Sequence, residues 1–143
     1  MILRYWEEKD IPVVADMEKE CFPDPWSEEA LRASFVNNLN HCFLVEDGGQ
    51  VRGYCIMFCL FEDAEVLNIA VEKSARGKGY GTTLMNKMHQ TAKSLGATQC
   101  FLEVRVSNQT AIALYEKFGY CSYGVRERYY ADGENAFVMK TTL

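Results

Sequence analysis

The stretch EVLNIAVEKSARGKGYGTTLMNKMHQTAKSLG, residues 65–96, decides the fold because an apolar strand, a glycine-rich loop and an amphipathic helix follow one another in it. The apolar positions of the helix recur at helical spacing: Leu84, Met85, Met88, Ala92 and Leu95. Gly96 supplies a suitable C-terminal cap. A second apolar run, TQCFLEVRV at 98–106, follows at once. This strand–helix–strand crossover predicts a sheet whose centre is at least partly parallel.

The remaining segments extend this pattern in both directions. ILRYW predicts a strand, Ile11–Cys21 a helix, and Ser27 an N-cap for a second helix. A hairpin is predicted around Asp47-Gly48-Gly49, a helix between Ser107 or Asn108 and Gly119, and a last strand pair around ADGEN at 131–135. The sequence therefore predicts one α/β domain over residues 1–143, with a mixed sheet of about seven strands and four helices.

Charge and hydropathy limit the classes of function. The formal net charge is −5, which argues against general nucleic-acid binding because affinity for the phosphate backbone comes from an excess of Lys and Arg. The sequence shows no export signal and no apolar run of membrane-spanning length. We therefore predict a cytoplasmic protein with no membrane association.

Six cysteines raise the question of disulfides or a metal site. They lie at positions 21, 42, 55, 59, 100 and 121, without a CxxC pair, and the chain has two histidines. Each cysteine has apolar neighbours, and Cys55 and Cys59 are expected on one face of a strand. The pattern predicts buried, reduced thiols in a reducing compartment and no bound metal.

The loop RGKGYG at 76–81 has the composition of an anion site. Glycines before a helix allow backbone amides to approach an anion closely, and the helix dipole adds positive potential. The nucleoside-triphosphate loop is excluded because no segment provides GxxxxGK followed by Ser or Thr. The dinucleotide pattern GxGxxG matches only in part, because Thr82 stands at its third glycine position. A glycine-rich turn without a ligand is the remaining alternative.

Five blocks of the sequence resemble one family over essentially the whole chain. They are PWSEE at 25–29, LNIAVE at 67–72, the RGKGYG loop, LEVRVSNQTAIALYEKFGY at 102–120 and YYADGENAFVM at 129–139. In this order and spacing they resemble the GNAT superfamily of N-acetyltransferases, and within it the ribosomal-protein alanine N-acetyltransferases of the RimI type. Arg76, Gly79 and Gly81 match its pyrophosphate-loop pattern. The resemblance implies that the strands carrying Val71 and Glu103 splay apart at the centre of the sheet.

The resemblance also implies a coenzyme site for acetyl-CoA. Backbone groups of β-strand residues 69–71 would pair with the pantetheine arm, and the loop amides would hold the pyrophosphate. The residues it assigns to the coenzyme are Ile69, Ala70, Val71, Arg76, Gly77, Lys78, Gly79, Tyr80, Gly81 and Asn108. For Asn108 a plain N-cap role is compatible with a coenzyme contact.

Two side chains match the catalytic groups of the family. Glu103 matches the general base; without the resemblance, its alternation with Arg105 on one strand face would indicate a surface ion pair. Tyr115 matches the general acid; by position alone it belongs to an apolar helix stripe and would be a core residue.

For the acceptor, the resemblance points to the loop containing Trp26 and to the final hairpin with Tyr129 and Tyr130, although each aromatic residue could simply pack under a loop. Acidic residues such as Glu20, Asp24 and Glu28 could attract a basic peptide or form a solvated face. The leading hypothesis is direct acetyl transfer to a protein N-terminal α-amine, with the N-terminal Ala of a ribosomal protein as the expected acceptor. The alternatives are acetylation of a small amine or a lysine side chain, and a coenzyme-A-binding module without catalysis.

Overall fold

The helices and strands follow one another in the predicted order. A computed structural model describes residues 1–143. The strands are β1 (Ile2–Tyr5), β2 (Asn40–Asp47), β3 (Gln50–Leu60), β4 (Asp63–Val71), β5 (Gln99–Arg105), β6 (Cys121–Arg126) and β7 (Ala136–Thr142). The helices are α1 (Ile11–Cys21), α2 (Glu28–Val36), α3 (Tyr80–Ser94) and α4 (Gln109–Lys117). Short 3₁₀ turns at Glu8–Asp10 and Lys73–Ala75 complete the set. The predicted single α/β domain with seven strands and four helices is confirmed.

The sheet has the strand order β1-β2-β3-β4-β5-β7-β6. Every neighbouring pair is antiparallel except β4 and β5, which are parallel. The reason is that α3 connects β4 to β5. The helix returns the chain to the end of the sheet at which β4 begins, so β5 runs in the same direction as β4. The partly parallel centre predicted from the crossover is therefore confirmed.

The two central strands separate after four residue pairs. β4 pairs with β5 from Asp63–Gln99 to Val66–Leu102 and no further. At this point β4 has a bulge: Val66 lies opposite Met57 of β3 and Asn68 opposite Ile56, so that Leu67 is the inserted residue. Beyond the bulge β4 remains paired with β3, and β5 continues beside β7. The predicted splay between the strands of Val71 and Glu103 is confirmed.

The sheet separates two hydrophobic clusters. One contains Leu84, Met85 and Met88 of α3 together with alternate residues of the strands, such as Cys55 and Met57. The other lies under α1 and α2 and contains the intervening strand residues Leu44, Tyr54 and Ile56 of β2 and β3. No residue of β5, β6 or β7 contributes to the second cluster. The α1–α2 layer therefore covers only one half of the sheet, and its edge lies beside the opening between β4 and β5.

The N-termini of α2 and α4, which lie near the site, are capped by the predicted residues. The Ser27 hydroxyl accepts a hydrogen bond from Ala30 N (3.1 Å) at the start of α2. At the start of α4, Asn108 rather than Ser107 is the cap, with its Oδ1 accepting from Ala111 N (3.1 Å). No helix is both long and apolar enough to cross a membrane.

The cysteines follow the prediction with two exceptions. All six are free; Cys42, Cys55, Cys59 and Cys100 are buried, and Cys55 and Cys59 share one cluster. Cys121, however, is exposed, and Cys21 is only partly buried. The prediction was wrong for Cys121 because β6 is an edge strand whose face receives no helix, so apolar neighbours in sequence do not bury it. No group of three or more His, Cys, Asp or Glu side chains is arranged to hold a metal ion.

One buried carboxylate connects α1 to the bulge and to the loop before α2. Glu18 of α1 is fully buried. It accepts hydrogen bonds from the Tyr54 hydroxyl, from Asn68 Nδ2 (2.9 Å) and from Trp26 N (3.0 Å). Tyr54 lies on β3, and Asn68 directly follows the inserted residue of β4. A carboxylate accepts hydrogen bonds at both oxygens, and both oxygens of Glu18 face donors. Glu18 therefore fixes β3, β4 and the loop before α2 relative to α1.

We expect Glu18→Gln to lower the free energy of unfolding by roughly 1–3 kcal/mol, because one end of the amide would have to direct its NH₂ group at a donor. Chemical denaturation monitored by circular dichroism measures this value. Glu20→Gln, on the exposed side of the same helix, is the matched control and should change it by less than about 0.5 kcal/mol. Equal stability of the two variants would show that Glu18 does not fix these segments.

Candidate functional site

The separation of β4 and β5 opens a cleft of about 940 Å³. One wall is the free side of β4 from Val66 to Val71, and the opposite wall is formed by the end of β5 and by α4. The loop at 76–81 and the segment between α1 and α2 also contribute to its lining. All but two of the residues that the sequence assigned to a site line this cleft; the exceptions are Lys78 and Tyr129.

The wall formed by β4 presents backbone groups. Alternate residues of a strand direct their N–H and C=O groups to opposite sides. Glu72 N donates to Arg52 O beside β3 (2.9 Å), so Val71 and Ile69 direct their backbone groups into the cleft, whereas Ala70 faces β3. Arg76 Nε donates to Val71 O (3.2 Å). The cleft therefore has an unpaired strand edge along one side.

The glycine loop presents backbone amides at the start of α3. Gly77 and Gly79 have φ of +81° and +86°, and an added Cβ at either position would meet no atom within 4 Å. The conformation requires glycine, and the space in front of both residues is open. Helix α3 begins at Tyr80 and has 15 residues, so its first amides lack intrahelical partners. This combination suits an anion.

The side chains of the loop differ in what they can contact. Arg76 borders the cleft, but Lys78 lies outside its lining. The ring of Tyr80 is buried, and its hydroxyl donates to Asp47 Oδ2 (2.5 Å). Tyr80 can therefore contribute its backbone to a ligand site but not its side chain.

Tyr115 and Asn108 come from α4 and its start, and both border the cleft. The Tyr115 ring is buried, yet its hydroxyl makes no hydrogen bond within the protein and is not fully enclosed. Burial raises the pKa of Tyr115 above that of a free tyrosine, and the neighbouring Tyr130 adds to the effect. The hydroxyl is therefore protonated at neutral pH and free to donate.

Glu103 lies on β5, one residue beyond the last pair with β4. Its side chain is 18% exposed, and its Oε1 lies 3.8 Å from Arg126 Nη1. Glu65 of β4 is a close neighbour: burial raises the pKa of Glu65, the charge of Glu103 raises it further, and Arg126 lowers it. The ion-pair alternative therefore holds for Glu103 with Arg126 and not with Arg105, because Arg105 binds three other carboxylates.

A smaller hollow of about 400 Å³ adjoins the cleft at Glu103. Its walls include the three aromatic residues assigned to the acceptor, Trp26, Tyr129 and Tyr130. The rings of the two tyrosines meet edge to face with centroids 5.0 Å apart. The hollow lies between the α1–α2 segment and the β6–β7 loop, so two regions distant in sequence form one cavity.

Sequence reasoning missed two residues of this region, Glu18 and Arg105. Glu18 lies four residues after Val14 and seven after Ile11, so helical spacing alone places it on the buried face of α1. Arg105 binds Asp24, which is 81 residues away along the chain. Asp24 is therefore paired with Arg105, but it shares this one cation with Asp132 and Glu134, so the group as a whole stays negatively charged.

This chain is similar in sequence to acetyltransferases, which agrees with a cleft suited to a coenzyme. The model of the Acetyltransferase (GNAT) family matches residues 11–120. The putative [ribosomal protein bS18]-alanine N-acetyltransferase of Bacillus subtilis is 36% identical over 137 residues, which cover 94% of this chain and 91% of that protein. The [ribosomal protein bS18]-alanine N-acetyltransferase of Escherichia coli is 31% identical over 139 residues, covering 93% and 91%.

The fold matches solved structures as well. The crystal structure of the ribosomal-protein-S18-alanine N-acetyltransferase from Escherichia coli superposes with a TM-score of 0.90 at 28% identity, covering 99% of this chain and 92% of that one. Ard1 from Thermoplasma volcanium has the same fold, with a TM-score of 0.90 at 23% identity, covering 99% and 97%.

Proposed function

This chain belongs to the GNAT family of acetyltransferases, and on that basis we propose that it transfers acetyl from acetyl-CoA directly to the α-amine of a protein N-terminus. It is an acetyl-CoA-dependent N-acetyltransferase. The acceptor we propose is an N-terminal Ala of a ribosomal protein, as in the names of the relatives. The observation that carries this proposal is the position of Glu103, where the cleft beside β4 meets the aromatic hollow.

The residues of the cleft fit the coenzyme. The open edge at Ile69 and Val71 can pair with the amide groups of the pantetheine arm, as an added strand would. The amides of the loop at 77–81, with Arg76 beside them, suit the pyrophosphate. Ala70, Lys78, Tyr80 and Asn108 adjoin these groups and complete the proposed coenzyme site, with Tyr80 contributing its backbone.

Acetyl-CoA supplies an acetyl group that is activated as a thioester. Glu103 is proposed to accept the proton of the acceptor's ammonium group, directly or through a water, so that the free amine can attack. The Val71 N–H, which faces the cleft, would stabilise negative charge developing on the carbonyl oxygen. The products are the acetylated amine and the thiol of coenzyme A, with no covalent acyl-enzyme.

A single carboxylate suits an α-amine better than a lysine side chain. The reference pKa of an α-amine is about 8 and that of lysine about 10.4, so deprotonating lysine at neutral pH costs about 3 kcal/mol more. The hollow has aromatic walls formed by Trp26, Tyr129 and Tyr130. Such walls leave limited room beside the reacting nitrogen, and this favours a small first residue.

Tyr115 is proposed to assist the departing thiolate. Because burial raises its pKa, the phenol keeps its proton at neutral pH. A thiol near pKa 8.5 is more acidic than a phenol, so full proton transfer to the sulfur is uphill by at least about 2 kcal/mol. We therefore assign Tyr115 a hydrogen bond to the sulfur atom as the C–S bond breaks.

We further propose that residues 1–143 act as one N-acetyltransferase domain in the reducing cytoplasm. Six free cysteines, four of them buried, are compatible with a reducing compartment. The net charge of −5 disfavours nucleic acid as a direct partner. No metal takes part in the proposed mechanism.

The proposed function predicts a ranking of acceptors. An Ala-initiated basic peptide should have the highest kcat/KM, exceeding a Phe-initiated peptide by about tenfold or more. The same Ala peptide with a blocked α-amine but free lysines, and spermidine, should react more slowly. Steady-state acetyl transfer from acetyl-CoA measures all four. If the blocked peptide or spermidine is the best acceptor, the N-terminal assignment fails, while membership of the family stands.

Glu103→Gln keeps the shape of the side chain but removes the base. We expect kcat at neutral pH to fall by roughly 10²-fold or more, because the amide cannot accept the ammonium proton. Stabilisation of the fold by acetyl-CoA, measured as a shift in Tm, should persist. Glu116→Gln, on the exposed side of α4, is the control with unchanged turnover. An unchanged kcat in Glu103→Gln would exclude Glu103 as the base.

Tyr115→Phe removes only a hydroxyl group that has no partner within the protein. Turnover should fall by at least about tenfold, whereas the free energy of unfolding should change by less than about 0.5 kcal/mol. Tyr120→Phe is the structural control, because the Tyr120 hydroxyl lies 2.7 Å from His89 Nε2 and its loss should cost about 1 kcal/mol. A Tyr115→Phe enzyme that loses stability but keeps its activity would make Tyr115 a core residue.

A further inference from the structure

Arg105 connects two loops that otherwise share no hydrogen bond. It lies at the end of β5, and its side chain is only 13% exposed. Nη2 donates to Asp24 Oδ1 in the α1–α2 segment (2.9 Å). Nη1 donates to Asp132 Oδ2 (2.8 Å) and to Glu134 Oε1 (2.9 Å) in the β6–β7 loop. One guanidinium therefore binds carboxylates from both sides of the hollow.

Arg105 also contacts an aromatic wall of the hollow directly. Its guanidinium carbon lies 4.1 Å from the centroid of the Tyr130 ring, in cation–π geometry. Glu134, which accepts from Arg105 through one oxygen, accepts from Ser107 N through the other (3.0 Å). The β6–β7 loop is thereby attached to the end of β5 at two points. Tyr130 is held between Arg105 and its neighbour Tyr129.

The loops have no other link of this kind. Hydrogen bonds of the α1–α2 segment lead to α1 and α2, as in the bond from Trp26 N to Glu18. Those of the β6–β7 loop stay within the loop or lead to residues 105–107, as in the bond from Val106 N to Asn135 O (3.2 Å). No ion pair joins the two loops without Arg105. The width of the hollow between them therefore depends on this side chain.

We propose that Arg105 is a positioning residue that holds the α1–α2 segment and the β6–β7 loop together and so limits the acceptor's first residue to a small side chain. This inference rests on the proposed function of the hollow as the acceptor site. Arg105 acts through Tyr130 and the loop that carries Trp26, and it takes no part in the proton transfers assigned to Glu103 and Tyr115. Arg105 carries one positive charge against the three carboxylates that it binds, so this group keeps a net negative charge beside the hollow.

The geometry requires arginine rather than any cation. Three carboxylates and a ring face occupy different sides of one planar group, and a guanidinium offers five donors in a fixed plane. A lysine ammonium is a point charge on a flexible stem and cannot donate to both loops while stacking on Tyr130. Arg105→Lys therefore keeps the charge and removes the connection.

The test compares Arg105→Lys with wild type on Ala- and Phe-initiated peptides. We expect KM for the Ala peptide to rise by roughly tenfold while kcat stays within about threefold, because ground-state positioning is lost and the chemistry is not. The ratio of kcat/KM for Ala over Phe should fall by at least about threefold. KM for acetyl-CoA should not change. The control is Arg32→Lys, which makes the same Arg-to-Lys change in an exposed ion pair with Glu8, away from the hollow.

A second measurement does not depend on activity. Arg128 lies in the β6–β7 loop, is exposed and has φ of +52°. Trypsin should cleave after Arg128 faster in Arg105→Lys than in wild type or Arg32→Lys. Asp24→Ala removes the acceptor of the link to the α1–α2 segment and leaves the contacts of Arg105 with the β6–β7 loop in place. It should lower the Ala-over-Phe ratio in the same direction, and it serves if Arg105→Lys does not fold.

The outcomes separate the two proposals. Unchanged peptide KM, unchanged selectivity and unchanged trypsin sensitivity in Arg105→Lys would overturn the positioning role. A lower kcat with unchanged peptide KM would also overturn it, because Arg105 would then act in the chemistry. If wild type prefers spermidine, the proposed function fails, and trypsin cleavage alone then decides whether Arg105 holds the loops.

Discussion

The parallel pairing of β4 with β5 ends at Val66 and Leu102, and the rest of the structure depends on this point. The inserted residue Leu67 increases the local twist of β4 and turns it away from β5, while β3 continues to pair with it. β5 keeps its other neighbour, β7, through Arg105. A sheet of seven strands is thereby divided into two halves that are joined only at one end. The cleft between the halves is a consequence of the pairing pattern and needs no separate domain.

An open strand edge inside a protein is costly unless its polar groups find partners. Arg76 satisfies Val71 O from the loop side. Glu18 fixes the bulge itself by accepting from the side-chain amide of Asn68. The remaining backbone groups face a cleft large enough for an extended ligand. The same unpaired groups that would destabilise a closed sheet therefore provide the binding surface. Glu18 also binds Trp26 N, so the carboxylate that stabilises the bulge supports the loop on the acceptor side.

The sequence predicts those features that have local causes. Apolar periodicity, N-caps and turn glycines determined the order of strands and helices, and the position of α3 between two strands determined the parallel pair. The bulge could not be located, because the run EVLNIAV at 65–71 is apolar almost throughout and alternation cannot reveal an inserted residue. The contacts of Arg105 and the hydrogen-bond partners of Glu18 could not be predicted, since those partners lie on segments distant in sequence. Exposure of Cys121 depends on the edge position of β6, which is equally non-local.

The two sides of the site differ in how they are built. The proposed coenzyme side consists largely of backbone groups, presented by β4 and by glycines at the start of α3, so a short glycine pattern is enough to point to it. The proposed acceptor side consists of aromatic rings on two loops that the contacts of Arg105 connect. Backbone geometry persists when side chains change, whereas a hollow formed by rings and ion pairs changes with each substitution. If the proposed sites are correct, the reaction class depends on the sheet and the loop at 76–81, and the choice of acceptor depends on a few side chains around Glu103.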